Sequence, residues 1–374
     1  MILTRTMVRK MTYSYVLHGI GREARMLFMR APLAMIPLLA AGCIGVGDGD
    51  RSGTVGESGA SAESRSTPAA EVDEGATTTA FSYAGPVLDL PPEPGDDSVP
   101  RHETERDWAI AAGMVTWARD QALGTLPVGE LVAIIGTTFV GTPYEPGTLE
   151  LPGQERLVVN LRTFDCVTFV EQVLVLAHLV RDETVVPDAD PESGRAFRDR
   201  YRELLTELRY RDGRIDGYGS RLHYFTEWMN QAASAGWGAD VTEELGGEAD
   251  PRPIRFMSSN THAYRQLGED PALVAGIRAV EARLSEATRL FVPEARIAAV
   301  ESGIRNGDII AAVSTVDGLD IAHTGVALRH DGRIHLLHAP LVGDSVEISS
   351  RPLADRIRSI SGQKGIRVLR PLDR

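Results

Sequence analysis

The chain is poor in several things. Only two cysteines, Cys43 and Cys166, occur in 374 residues, which excludes a disulfide-knit scaffold. Aromatic residues make up 6% and charged residues 24%, against 43% hydrophobic. That balance excludes a collagen-like, wholly disordered or multi-span membrane protein, and it supplies enough apolar material for one or two sizeable cores. Basic residues are in deficit, 39 against 52 acidic, for a net charge of −13 and a pI near 5.2. Six of those basic groups lie in the first thirty residues (Arg5, Arg9, Lys10, Arg22, Arg25, Arg30) beside Glu23 alone, so the remainder stands at −18. A surface that acidic repels phosphate backbones, and nucleic acid is not an expected partner.

What is present begins with an apolar run, Ala31 to Ala41, that follows Arg30 and ends in Gly42-Cys43. Its eleven residues are too few to span a bilayer of about 30 Å and suit the h-region of a signal peptide. Ala40, Ala41 and Gly42 before Cys43 resemble a bacterial lipobox, with Leu39 one place early. The resemblance implies a signal peptide over 1–42, with translation starting at Met1, Met26 or Met29, and Cys43 lipidated as the first mature residue. Ile44, where an aspartate would signal inner-membrane retention, points to an outer-membrane anchor facing the periplasm. Residues 45–100 carry eleven acidic groups and two arginines among Gly, Ser, Ala, Thr and Pro. Such a segment buries too little apolar surface to offset its ordering entropy, so 43–101 is expected to be a flexible linker. The folded domain is then 102–374.

Within it, Asp107–Asp120, Val128–Phe139, Cys166–Val180, residues 196–210 and Pro271–Thr288 show helical spacing, and Asp165 is a natural N-cap for the third of these. Residues 183–195 and 236–256 read as loop. From Gly307 the period changes: Asp308–Thr315, His323–Arg329, Arg333–Ala339 and Ser345–Ser349 read as short strands, with Asp331-Gly332 a hairpin turn. Helices first and an antiparallel meander last predict an α+β domain.

Acylation would take Cys43 out of disulfide chemistry, and Cys166 is then either inert core or reactive. A sulfur at a helix N-terminus meets amides and a macrodipole that stabilise a thiolate and offer donors to an oxyanion. A nucleophile needs a base, and the base an orienting partner. His323 opens one strand and His338 closes the next, and alternation places His338 on the face of Ile334 and Leu336, with His335 opposite. Core packing of Cys166 is the plain alternative. The four histidines of 323–338 match no recognised metal-ligand spacing.

Thr163-Phe164-Asp165-Cys166-Val167-Thr168-Phe169-Val170-Glu171 resembles the nucleophile motif of the DUF1460 amidases, a branch of the NlpC/P60 cysteine peptidase superfamily. Gly141-Thr142-Pro143-Tyr144, Gly147-Thr148-Leu149-Glu150, Leu157-Val158-Val159-Asn160-Leu161, Arg209-Tyr210-Arg211-Asp212-Gly213, Arg221-Leu222-His223-Tyr224, Ala322-His323-Thr324-Gly325-Val326 and Leu337-His338-Ala339 extend the likeness over roughly 140–373. It implies a papain-like α+β fold with Cys166 as nucleophile, His323 as general base and His338 as its orienting group. The implied reaction cleaves the amide between N-acetylmuramic acid, favoured in its 1,6-anhydro form, and L-alanine, without metal or organic cofactor. Val167 and Thr168 stand where the superfamily's endopeptidases carry Ser-Gly, which weakens recognition of a free L-Ala amine. A γ-D-glutamyl-diaminopimelate endopeptidase and a non-catalytic wall-binding lipoprotein are the alternatives. Substrate contacts are expected from Tyr144, Asp165, Thr168, Arg221, His223 and Trp228, with Trp228 as a stacking platform for a sugar. Glu171 is read as structural.

Overall fold

A fully buried helix dictates the architecture. In the computed structural model, which describes residues 85–91, 102–187 and 191–374, the helices are α1 (Glu105–Asp120), α2 (Val128–Thr138), α3 (Cys166–Arg181), α4 (Pro191–Arg209), α5 (Phe225–Ser234), α6 (Phe256–Ser259), α7 (Arg265–Glu269), α8 (Pro271–Glu286), α9 (Glu294–Val300) and α10 (Leu353–Ser359). The strands are β1 (Gly238–Asp240), β2 (Glu248–Ala249), β3 (Leu290–Pro293), β4 (Ile309–Ser314), β5 (Ile321–His330), β6 (Arg333–His338), β7 (Glu347–Ile348) and β8 (Gln363–Pro371). Fourteen of the sixteen residues of α3 are buried. A helix apolar on every side needs cover on every side, and α1, α2, α4 and the sheet provide it.

The sheet runs β2-β3-β8-β4-β5-β6-β7, with β1 also on β8, and its strand pairs are antiparallel. Period-two alternation divides its side chains between two cores. Ile309, Ala311, Val326 and Leu337 join the cluster built on α1 to α5, whereas Ile310, Ala312, Ala327, Ile334 and Leu336 pack with Ile297 of α9 and Leu353, Ala354 and Ile357 of α10. A third cluster, including Tyr218, Tyr224, Met257, Tyr264 and Ile277, forms a helical lobe around α6, α7 and α8.

The α+β expectation holds, with corrections to individual elements. Residues 236–256, read as loop, contain β1 and β2, strands of three and two residues too short to display a period. The second omission is β8, the strand that joins the two halves of the sheet. Its apolar alternation is broken by Lys364, Arg367 and Arg370, which are ion-paired to Asp250 at 3.1 Å, Asp240 at 2.7 Å and Asp308 at 2.8 Å. A further correction concerns the linker: within 43–101, residues 85–91 lie against α1, where Leu88 fills the space over Gly113 and Arg106 Nη1 donates to Pro91 O at 2.7 Å. In the stretch read as loop over 183–195, α4 begins at Pro191, a residue suited to a first helical position. Among the described residues no helix is long and apolar enough to cross a membrane.

Gly307, with φ +79°, carries the chain from α9 into β4 where it crosses α2, and a Cβ there would stand 1.8 Å from Gly129 O. Gly307→Ala therefore combines a left-handed backbone with a backbone clash and is expected to lower unfolding free energy by ~2–4 kcal/mol, measured as a shift of the urea midpoint.

Candidate active site

The loop before α3 is held by its own side chains. Asp165 is the N-cap: its Oδ1 accepts from Val167 N at 3.1 Å and Thr168 N at 2.8 Å, while Asp165 N donates to Thr168 Oγ1 at 2.9 Å. This reciprocal box satisfies donors that a helix start leaves open and places Cys166 at the first helical position. Burial pushes the Asp165 carboxyl upward, against the bonds from Thr168. Asp165 and Thr168 are thus spent on the cap and do not border the pocket beside it. Tyr144 forms a parallel bridge with Phe164, and its hydroxyl is raised by burial and by the Asp165 charge. It too lies outside the pocket lining.

One pocket receives Cys166, Val167, Arg221, His223, His323 and Thr324, with Met257 and Tyr264 of the helical lobe as its far wall. The sulfur of Cys166 is disulfide-bonded in this structure. The thiol expected from the sequence is present here in its oxidised form. Cys43, the expected lipidation site, also lies outside the described residues.

His323 and His338 meet as expected. His323 Nε2 and His338 Nδ1 are 2.8 Å apart, and the rings make an edge contact of 4.8 Å at 85°. Gly325 makes this possible, because a Cβ there would come within 2.9 Å of His338 Cβ and 2.7 Å of Leu337 O. Burial holds both rings well below the usual histidine range. The Arg356 charge adds to this at His323, as do His323 and Arg356 at His338. Both imidazoles are neutral at pH 7.

In the wall of the pocket, Arg209 Nε donates to Glu171 Oε2 at 2.8 Å and its Nη1 to Val158 O at 2.6 Å, with both charged side chains about 2% exposed. Glu171, read from the sequence as structural, forms this buried ion pair and also borders the pocket. Arg221 Nη1 donates to Leu149 O at 2.8 Å, and its remaining nitrogens face Glu150 and Glu155 at 2.5 and 3.6 Å. Burial opposes its charge, but those two carboxylates outweigh burial and hold the guanidinium ionised. Arg221 is therefore already paired, with Glu150 rather than with Glu227, which binds Arg211 and Arg283. Tyr218 O lies 2.8 Å from His223 Nε2, and burial, then Arg221, keep this ring neutral. A neutral ring that donates through Nε2 to a carbonyl presents Nδ1 as an acceptor. Trp228 is corrected: at 1% exposure, stacked on Phe225 at 4.7 Å, it is a core residue without a face for a sugar.

The pocket brings together a sulfur at a helix N-terminus and a neutral imidazole in contact with a second one, the kinds of group that acyl transfer uses. Residues 134–366 match the AmiA-like family, N-acetylmuramoyl-L-alanine amidase-like, and the chain belongs to that family. It is similar to the crystal structure of an N-acetylmuramoyl-L-alanine amidase from Bacteroides uniformis, 34% identical with a TM-score of 0.59 over 66% of this chain and 99% of that one. It is also similar to a putative xylanase from Bacteroides fragilis, 34% identical, TM-score 0.56, over 63% of this chain and 98% of that one. A Legionella pneumophila protein of the DUF1460 family, 21% identical with a TM-score of 0.50 over 72% of this chain and 95% of that one, shares the fold. A comparison with curated proteins gives no match.

Sequence reasoning missed Arg356 and Glu150. The first comes from α10, a short helix that the sequence reading did not assign. The second stood in a quoted motif, but its partner Arg221 is 71 residues away. Arg209→Ala would leave Glu171 buried without a counter-charge and is expected to cost about 3–5 kcal/mol. Chemical denaturation measures the loss, which Arg209→Lys should reduce.

Proposed function

We propose that this protein is a peptidoglycan amidase that hydrolyses the amide between the lactyl group of (anhydro-)N-acetylmuramic acid and L-alanine, with reduced Cys166 as nucleophile. The observation that carries the reading is the shared pocket: Cys166 at a helix N-terminus and His323, backed by His338, open onto it together. Family membership supplies the class of bond. The papain-like NlpC/P60 arrangement belongs to the same reading.

In this mechanism His323 takes the thiol proton as sulfur attacks the lactyl carbonyl. The developing oxyanion sits at the N-terminal end of α3, where the helix dipole favours negative charge. The C–N bond breaks, His323 returns the proton to the L-Ala nitrogen, and the stem peptide leaves as a free amine. Water, deprotonated by His323, then attacks the thioester, releasing the muramyl carboxylate and the thiol. His338 keeps the His323 ring in place throughout. Val167 contributes an apolar wall where an amine-binding site would need an oxygen, and this suits a substrate whose L-Ala nitrogen is acylated. Met257 and Tyr264 bring the helical lobe of 218–286 to the pocket wall, and in this reading that lobe meets the glycan or peptide arm.

Anchoring through a lipidated Cys43 in the outer membrane, facing the periplasm, is part of the proposal.

Full-length protein under reductant, incubated with disaccharide-anhydro-tetrapeptide, should release intact stem peptide, and Cys166→Ala should lower the rate by at least about a thousandfold. Cleavage after D-Glu of free L-Ala-γ-D-Glu-diaminopimelate would instead identify an endopeptidase, and no cleavage of either substrate would refute the enzymatic reading. Because burial depresses His323, the base stays deprotonated as pH falls through the ordinary histidine value of about 6.5. The acid limb of kcat/KM governed by His323 should therefore lie below that value, and a limb at or above it would contradict a buried neutral base.

A further inference from the structure

The histidine pair poses a tautomer problem. A neutral imidazole carries one N–H, so in the His323 Nε2 to His338 Nδ1 contact one nitrogen donates and the other accepts. If His338 Nδ1 donates, the His323 proton resides on Nδ1, and that nitrogen is unable to accept the thiol proton. If His323 Nε2 donates, its Nδ1 is the base, and the His338 proton must then sit on Nε2. The reaction needs the second arrangement, and a neutral pair by itself does not enforce it.

The surroundings of His338 Nε2 supply a selector. That nitrogen is buried and has no hydrogen-bond partner among the described residues. Oε1 of Glu347 lies 3.7 Å from it, so about 0.7 Å of closure reaches hydrogen-bond range. The approach is built into the sheet, since Glu347 stands opposite His338 in the β6–β7 register. The turn before Glu347 is laced to the segment that braces the nucleophile loop. Gly141 N donates to Val346 O and Val346 N to Thr142 O, each at 2.8 Å, and Tyr144 then bridges Phe164 two residues before Cys166. On the other side, Arg356 of α10 acts on both rings and disfavours an imidazolium. The Glu347 side chain is 45% exposed, so solvent screens its charge. It can accept a proton-bearing nitrogen without forcing the pair to ionise.

We propose that Glu347 is a positioning residue in a chain Glu347–His338–His323–Cys166: its carboxylate holds the His338 proton on Nε2, so that His338 Nδ1 accepts from His323 and His323 Nδ1 faces the thiol as base. This rests on the reading of Cys166 and His323 given above.

Long-range proton–nitrogen NMR on full-length protein with 15N-labelled histidine reads the tautomers directly, without substrate. The wild type should show His338 protonated on Nε2 and His323 on Nε2. Glu347→Ala should mix the His338 tautomers and lower kcat about ten- to a hundredfold, the range for losing an outer partner that fixes a histidine, with KM unchanged. Glu347→Gln keeps an acceptor oxygen and should restore the tautomer and most of kcat. Should alanine disturb β7, Glu347→Val supplies a strand former without an acceptor. An unchanged His338 tautomer in the acceptor-less variant, or a wild-type His338 protonated on Nδ1, overturns the proposal. The NMR readout stands even if no muropeptide is cleaved, so failure of the amidase reading and failure of this one are separable.

Discussion

The burial of α3 is the constraint on which the rest of this structure depends. A helix with nearly every side chain inside the protein has few places where its end can meet solvent or ligand. The sequence arranges that its N-terminus does. Asp165 and Thr168 close the first turn on themselves, so the amides are held without help from elsewhere and Cys166 borders the pocket as the first helical residue. The same burial brings Glu171 into the interior, and the Arg209 guanidinium, itself bonded to Val158 O, stabilises that carboxylate there.

Around the pocket several carboxylates and guanidiniums are paired, Asp320 is held by the backbone N–H of Thr226, and the histidines are left uncharged. Arg221 is neutralised by Glu150 and Glu155, and Glu227 by Arg211 and Arg283. His223, His323 and His338 are kept neutral by burial and by nearby arginines. A site with paired charges and neutral imidazoles suits a ligand that offers hydroxyls and amides more than one that must be captured through a net charge. The strongly acidic composition of the chain does not carry over into this pocket.

The sequence disclosed the parts that obey a local rule. The α3 period, the Asp165 cap and the Asp331-Gly332 hairpin each depend on neighbours within a few positions, and each is where it was expected. The His323–His338 contact was legible because two adjacent strands and one turn determine it. The long-range matches were not. β8 hid because its lysine and arginines are neutralised by aspartates far away in the chain, and Arg221 found Glu150 rather than the nearby Glu227. Trp228 looked available for a sugar because sequence does not reveal burial, and the packing of Phe225 against it decided the matter. Tyr144, Asp165 and Thr168 lie beside the nucleophile loop, where Asp165 and Thr168 form the cap and Tyr144 bridges Phe164.

The central claim is that Cys166 carries the muramyl group, and not the stem peptide, during the reaction. Rapid-quench mass spectrometry of the reduced protein mixed with disaccharide-anhydro-tetrapeptide tests it most directly. The account predicts a transient adduct on the peptide containing Cys166, with the mass of the glycan acyl group and with the stem peptide already gone. An adduct with the mass of an L-Ala-D-Glu acyl fragment, or turnover with no adduct at Cys166 even at the shortest quench times, would contradict it.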